Sequence, residues 1–103
     1  MADDTFDITH HQAGEGRGEY RAAVDGSDAV GRLTWVASEG SGGDVRVANH
    51  TLVPREIGGR GVAAALVDAL VADAREQGFR IVPQCSYVER KFDEHPEWSD
   101  LRA

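Results

Sequence analysis

Three side chains of the 103-residue sequence have the chemistry of a nucleophile, a base and an acid. Cys85 is the only cysteine and directly precedes a helix-forming segment, where a helix N-terminus stabilises a thiolate and lowers the pKa of the thiol. The alternative interpretation is that Cys85 is only a small buried apolar residue. His50, in a strand-forming segment, is either a general base or a histidine hydrogen-bonded for structural reasons. Tyr87 is either a general acid or a ring packed on a sheet with its hydroxyl group in water.

A glycine-rich turn joins an apolar segment to an alanine-rich one. Its glycines are Gly58, Gly59 and Gly61. The first N–H groups of a helix lack intrahelical partners and carry partial positive charge, and glycine has no Cβ atom to hold a ligand away. With the cations of Arg55 and Arg60, the turn is suited to an anion such as a pyrophosphate. The alternative is that the glycines only form a tight strand-to-helix turn.

Two other phosphate-binding motifs fit this turn less well. Gly59-x-Gly61-x-x-Ala64 has the form of a dinucleotide fingerprint, but antiparallel strands are expected before it, and the chain is too short for a doubly wound sheet. No Gly-Lys-Ser/Thr sequence closes the turn, which excludes a nucleotide-triphosphate loop.

The elements that position these residues follow from hydrophobic periodicity and turn signals. We expect strands at Glu19–Val24, Ala29–Val36, Val45–Val53 and Phe79–Pro83, and helices at Val62–Gln77 and from Tyr87 to about Glu94, capped by Ser86. Short connections predict an antiparallel meander for the first three strands, and the βαβ crossover makes the last two parallel neighbours. Residues 1–18 are expected to be a flexible lead-in, with a fraying strand near Thr5–His10. The fold class is α+β, with one mixed sheet and two main helices.

Composition excludes several classes of protein. The formal net charge is −7, which argues against duplex nucleic acid because phosphate binding needs clustered cations. No apolar run is long enough for a membrane helix, and the first residues are not those of a secretory signal. One cysteine cannot form an internal disulfide, so a reducing compartment, the cytoplasm, is expected. A metal site from His50, Cys85 and His95 has no recognisable ligand spacing, and no metal is expected.

Four motifs follow one another along the chain: His50-Thr51-x-Val53-Pro54, Glu56-Ile57-Gly58-Gly59-Arg60-Gly61, Val82-Pro83-Gln84-Cys85-Ser86-Tyr87-Val88 and His95-Pro96-Glu97-Trp98. Their order resembles the GCN5-related N-acetyltransferases, in particular a small branch whose members are about this length. The second motif is similar to the acyl-CoA pyrophosphate loop, Gln/Arg-x-x-Gly-x-Gly/Ala, except that Glu56 stands where Gln or Arg is usual. The resemblance covers Tyr20 to Leu101. Members of the small branch lack the N-terminal helices that help larger relatives bind acceptors, and this sequence likewise has no helical pattern between its first two predicted strands.

The resemblance implies an acyl-CoA N-acyltransferase fold over residues 19–103, a sheet of about four to five strands, and acetyl-CoA as co-substrate. It implies that the phosphates lie on backbone N–H groups from Gly58 to Val62, with Arg55 and Arg60 adding charge. The pantetheine arm would run beside Leu52 and Val53, and the thioester would lie near Cys85.

The resemblance also implies roles in transfer. Cys85 either accepts the acetyl group as a nucleophile or only lines the pocket. The chemistry of histidine, rather than the resemblance, suggests that His50 deprotonates the acceptor amine, because a protonated amine cannot attack a thioester, or that it pairs with Cys85. Tyr87 would protonate the departing CoA thiolate, as a tyrosine on the corresponding helix does in the wider superfamily.

The acceptor is open at this point: a small-molecule amine or a protein lysine. Acidic residues near the N-terminus, Asp3, Asp4, Asp7 and Glu15, either attract a cationic acceptor or only solubilise the terminus. The alternative function is a non-catalytic acyl-CoA-binding or interaction module that uses the same pocket. A cysteine hydrolase is a poorer interpretation, since no third triad member is defined.

Overall fold

A computed structural model describes residues 6–40, 44–59 and 61–103, without the side chain of Phe6. Its elements in chain order are strands β1 (Phe6–Gly14), β2 (Arg17–Val24), β3 (Val30–Ala37) and β4 (Val45–Leu52), helix α1 (Val62–Gln77), strand β5 (Arg80–Pro83) and helix α2 (Ser86–Glu94). Two 3₁₀ turns, Arg55–Ile57 and Pro96–Leu101, flank the helices. The strands form one sheet in the order β1-β2-β3-β4-β5.

The expected α+β class and the mixed sheet are confirmed. Strands β1 to β4 are antiparallel neighbours, and β5 pairs parallel with β4 after the α1 crossover. Helix α1 has the predicted bounds; Gly78, with a φ of 82°, ends it in the left-handed conformation.

Most strand boundaries differ from the prediction by one or two residues, and two of the differences, in β1 and α2, have a clear physical reason. Strand β1 continues to Gly14 rather than ending near His10, because its polar residues pair with β2 and the His10 ring stacks on Tyr20 at 4.5 Å. Helix α2 begins at Ser86, and Cys85 rather than Ser86 is its N-cap. The reason is that the Cys85 carbonyl already accepts the first helical hydrogen bond, from Glu89 N–H at 2.9 Å.

The sheet has two different faces. Strand alternation puts the buried residues on one side, where both helices pack; we call this the helix face. Its members include Tyr20, Ala22, Leu33, Trp35, Ala48 and Ile81, which join side chains of α1, α2 and the last 3₁₀ turn in a single core. The other side, the open face, carries exposed or half-buried side chains and has no helix over it in the described part of the chain.

The start of α1 is held close to β3 by a glycine. A Cβ atom at Gly31 would lie 2.8 Å from Cγ1 of Val62, which is itself 2 % exposed. Because valine is stiff at χ1, it could not move aside cheaply. Gly31 therefore fixes the height of the first turn of α1 above the sheet, and with it the height of the glycine turn.

Candidate functional site

Strands β4 and β5 separate at one edge of the sheet, where β5 is the last strand. They pair only from Val45 to Ala48 on β4, because Pro83 ends β5 and the chain turns away into α2. The Cys85 N–H donates to the Ala48 carbonyl at 2.9 Å and closes the junction. Strand β4 continues to Leu52, so its β5-side edge from 49 to 52 has no strand partner among the described residues. The free edge can pair with an extended ligand.

Cys85 lies at the closed end of this gap, at the N-terminus of α2. Its Sγ atom is 3.5 Å from Oγ1 of Thr51 on β4. Burial raises the pKa of the Cys85 thiol, but hydrogen bonds from the Thr51 hydroxyl and from the backbone N–H groups of Val88, Tyr87 and Thr51 outweigh it. The net pKa is therefore lowered, because these donors stabilise a thiolate.

A β-bulge determines where the side chains of β4 point. Thr34 of β3 pairs with His50, whereas Trp35 pairs with Ala48, so Asn49 is the extra residue. The Thr34 hydroxyl donates to Oδ1 of Asn49 at 2.6 Å, which places both side chains on the open face. The bulge thereby puts Ala48 and Thr51 on the helix face, although they are three residues apart.

His50 and Cys85 are not brought together. His50 is exposed and lies opposite Thr34 on the open face, whereas the sulfur of Cys85 contacts Thr51 on the helix face. The structure therefore does not form the Cys85–His50 pair that a cysteine-type transfer would use. It places a thiol and an imidazole on opposite sides of the same stretch of β4.

Tyr87 lies in the first turn of α2, next to the thiol. Its ring is half-buried against the core, and the cationic groups of Arg90 and Lys91 lie 5.8 and 5.9 Å from the ring centroid. Its backbone N–H is one of the donors that lower the Cys85 pKa. Its hydroxyl group has no hydrogen-bond partner within the described ranges.

The glycine turn lies at the other end of the free edge. Leu52 is 52 % exposed, Val53 is partly buried, and the 3₁₀ turn with exposed Arg55 follows. Gly59 and Gly61 have φ angles of 75° and 79°, and a Cβ atom at either would meet nothing within 4 Å.

Gly61 is the N-cap of α1, and no side chain caps the helix there. The N–H groups of Val62 and the next residues consequently have no intrahelical partner and can receive phosphate oxygens. Gly58 has an extended conformation and precedes them. Arg60, the other predicted phosphate ligand, lies outside the described residues.

Sequence reasoning missed two parts of this arrangement. Thr51 was part of a quoted motif but was given no role, and nothing in the periodicity indicated the bulge at Asn49. The available signal was the polar run Asn49-His50-Thr51 inside an otherwise apolar strand, since polar side chains on both faces of a central strand need local partners.

Within residues 6–40, 44–59 and 61–103, no three His, Cys, Asp or Glu side chains are grouped so that they could hold a metal ion. No helix in the described part of the chain is long and apolar enough to cross a membrane.

Comparison with known proteins gives a family. No curated protein matches this chain. A family model described as GCN5-related N-acetyl-transferase matches residues 19–101, a segment that starts within β2 and includes the bulge, the glycine turn and Cys85. The match spans most of the sequence, and the chain belongs to the GCN5-related N-acetyltransferase family.

Proposed function

We propose that the protein transfers an acetyl group from acetyl-CoA to an amine. The observation that carries the proposal is the free edge of β4, which runs from the thiol of Cys85 to the glycine turn before α1. A pantetheine arm can add to this edge as an extra strand while its phosphates lie on the N–H groups at the start of α1. The reacting thioester then lies at the Cys85 end.

Two chemical routes fit this arrangement. In the direct route the amine nitrogen bonds to the thioester carbon, the C–S bond breaks, and CoA leaves as a thiolate. In the covalent route the Cys85 sulfur first takes the acetyl group and CoA leaves; the amine then displaces the sulfur. The lowered pKa of Cys85 favours a thiolate and supports the second route.

The remaining roles are distributed over the two faces of β4. His50, on the open face, is the proposed base for an amine that arrives from that side. Tyr87 is the proposed acid for the CoA thiolate, since the Cys85 side of the gap is the side on which α2 begins. Arg55, Arg60 and the N–H groups from Gly58 to Val62 are the proposed phosphate ligands.

The alternative is an acyl-CoA-binding module without turnover. Glu56, where the family's loop usually has Gln or Arg, is exposed and adds negative charge beside the proposed phosphate position. Weak binding of acyl-CoA would follow.

The cytoplasmic location expected from the sequence is retained as part of the proposal.

Intact mass spectrometry after incubation with acetyl-CoA tests the proposal. We expect one added acetyl group on the wild type and none on Cys85→Ala, with release of free CoA thiol. Retention of acetyl-CoA in a native spectrum without an adduct would support the direct route. The release of CoA on addition of amines would then test that route. Release of more than one equivalent of CoA with no amine would instead support a thioesterase, and retention of acetyl-CoA without CoA release for any amine would support the module. A complete absence of acetyl-CoA binding would overturn the proposal.

A further inference from the structure

The open face of the sheet is positively charged, although the protein is acidic. Strand alternation puts four arginines on this face among the described residues: Arg17, Arg21, Arg32 and Arg80. The carboxylates at strand positions on this face are those of Asp7 and Glu19. The described face therefore has two excess positive charges, while the whole chain has a formal net charge of −7.

The excess charge lies next to the free edge of β4. Arg21 pairs with Arg32 across β2 and β3, and Arg32 pairs with Leu52 on β4. The neighbouring row runs from Glu19 through Thr34 to His50. Adjacent strands are about 4.8 Å apart, so Arg32 on β3, with β4 between them, lies two strand spacings, roughly 10 Å, from the proposed position of the pantetheine arm.

Arg21 and Arg32, which are paired across β2 and β3, share one carboxylate. Glu19 Oε2 accepts hydrogen bonds from Nε of Arg21 and from Nη1 of Arg32, the latter at 2.7 Å. The Arg21 hydrogen bond is the main reason that the pKa of Glu19 is lowered, so Glu19 stays ionised. One carboxylate balances one guanidinium, and the remaining N–H donors of both arginines are available, because their side chains are 43 % and 44 % exposed.

The open face is also the accessible side of the gap. Helices α1 and α2 cover the other side, where Thr51 and Cys85 meet. An acceptor that uses His50 must therefore come across the open face and pass Arg21 and Arg32. We propose, resting on the proposed function, that the acceptor is a lysine in an acidic polypeptide segment that lies on this face and is held by Arg21 and Arg32.

The shape of the face favours a polypeptide over a small molecule. A shallow groove of about 180 Å³ lies on this face between the β1–β2 turn and the bulge. It reaches Glu19, the carboxylate shared by Arg21 and Arg32, and is also lined by Arg17 and Asn49. Small-molecule sites are usually clefts of roughly 300–1,000 Å³. A flat, polar, cationic surface matches a flexible acidic chain instead, since charge complementarity also excludes basic partners. The acceptor class is then opposite in charge to the one that the acidic N-terminus suggested.

Acetylation of three short peptides tests this inference. Each has one central lysine with a blocked N-terminus, flanked by aspartates, serines or arginines. We expect kcat/KM for the aspartate peptide to exceed that for the arginine peptide by at least about tenfold at low salt, and the ratio to fall as ionic strength rises. Arg32→Glu should bring the ratio close to one. Arg75→Gln, which removes an arginine from the helix side, should leave the ratio unchanged.

The outcomes separate this inference from the function on which it rests. Equal acetylation of all three peptides, or a preference for arginine flanks, overturns the acidic acceptor and leaves the transferase intact. Retention of acetyl-CoA without acetylation of any peptide also overturns the acceptor inference. If the protein neither retains nor consumes acetyl-CoA, both fail. Because Arg32→Glu leaves Glu19 beside a new carboxylate, Glu19→Gln/Arg21→Gln/Arg32→Gln repeats the test without a repulsive pair; an unchanged ratio in both variants overturns the inference.

Discussion

At the scale of single residues, the site depends on how the Cys85 thiol is held. Its sulfur lies at the start of a helix with a hydroxyl group 3.5 Å away, and these donors outweigh the effect of burial on its pKa. A thiol in this position is more nucleophilic at neutral pH than a free cysteine, because only the thiolate reacts. Thr51 therefore acts as a positioning residue for Cys85 in our proposal.

This gives a prediction for Thr51→Val. Removal of the hydroxyl deletes the strongest of the hydrogen bonds that lower the pKa, so the midpoint of the pH dependence of Cys85 alkylation should move up towards the ordinary pKa of a thiol. Iodoacetamide rates between pH 6 and 10 measure it. Thr51→Ser keeps the hydroxyl and should titrate like the wild type. An unshifted midpoint in Thr51→Val would show that the helix N–H groups alone hold the thiolate.

At the scale of secondary-structure elements, the glycine turn and the end of α1 offer a matched comparison. Gly61 and Gly78 cap the two ends of the helix with φ angles of 79° and 82°, and a Cβ atom would meet nothing within 4 Å at either position. The steric strain of alanine is thus the same at both ends. Only Gly61 lies at the proposed phosphate position.

We therefore predict that Gly61→Ala and Gly78→Ala each lower the free energy of unfolding by about 1 kcal/mol, the usual penalty for a left-handed non-glycine residue. Urea denaturation measures this loss. Isothermal titration with acetyl-CoA should show weaker binding for Gly61→Ala alone. Equal affinities in the two variants would mean that the N-terminus of α1 does not hold the phosphates.

The elements also show what the sequence can predict. Helix α1 and the parallel β4–β5 pair were predictable, because alanine-rich periodicity, Gly78 and the βαβ order are local signals. The end of β1 was not, since its polar residues are ordered by contacts with β2 that lie far along the chain. The bulge was not either: period-2 reasoning assumes regular alternation, and one extra residue reverses the side chains beyond Asn49. The separation of His50 from Cys85 follows from that reversal.

At the scale of the whole molecule, β1 is attached to the core through a polar cluster. Nε2 of His10 accepts a hydrogen bond from the Trp35 indole N–H at 2.9 Å, and Tyr20, on which the His10 ring stacks, donates to Asp73 of α1 at 2.7 Å. The Arg46 guanidinium lies 4.0 Å from the Trp35 ring centroid. The sequence prediction placed His10 in a flexible lead-in, but this residue joins the edge strand to the centre of the sheet.

This cluster predicts how the stability of the fold depends on pH. Burial and the Arg46 charge lower the pKa of His10 below 6.5, against a smaller opposing effect of Asp73. The unfolded chain therefore takes up a proton more readily than the folded one as the pH falls below 6.5, so the free energy of unfolding decreases towards the folded-state pKa. Protonation would also put an N–H of His10 against the indole N–H, two donors without an acceptor.

The measurement is urea denaturation at intervals from pH 7.5 to pH 5.5, above the ordinary glutamate pKa of 4.5, so that carboxylate protonation contributes little. We expect the wild type to lose more stability over this range than His10→Gln, which cannot take up the proton. His11→Gln, on the exposed side of the same strand, should follow the wild type. Parallel curves for wild type and His10→Gln would contradict the lowered pKa of His10 and overturn this prediction.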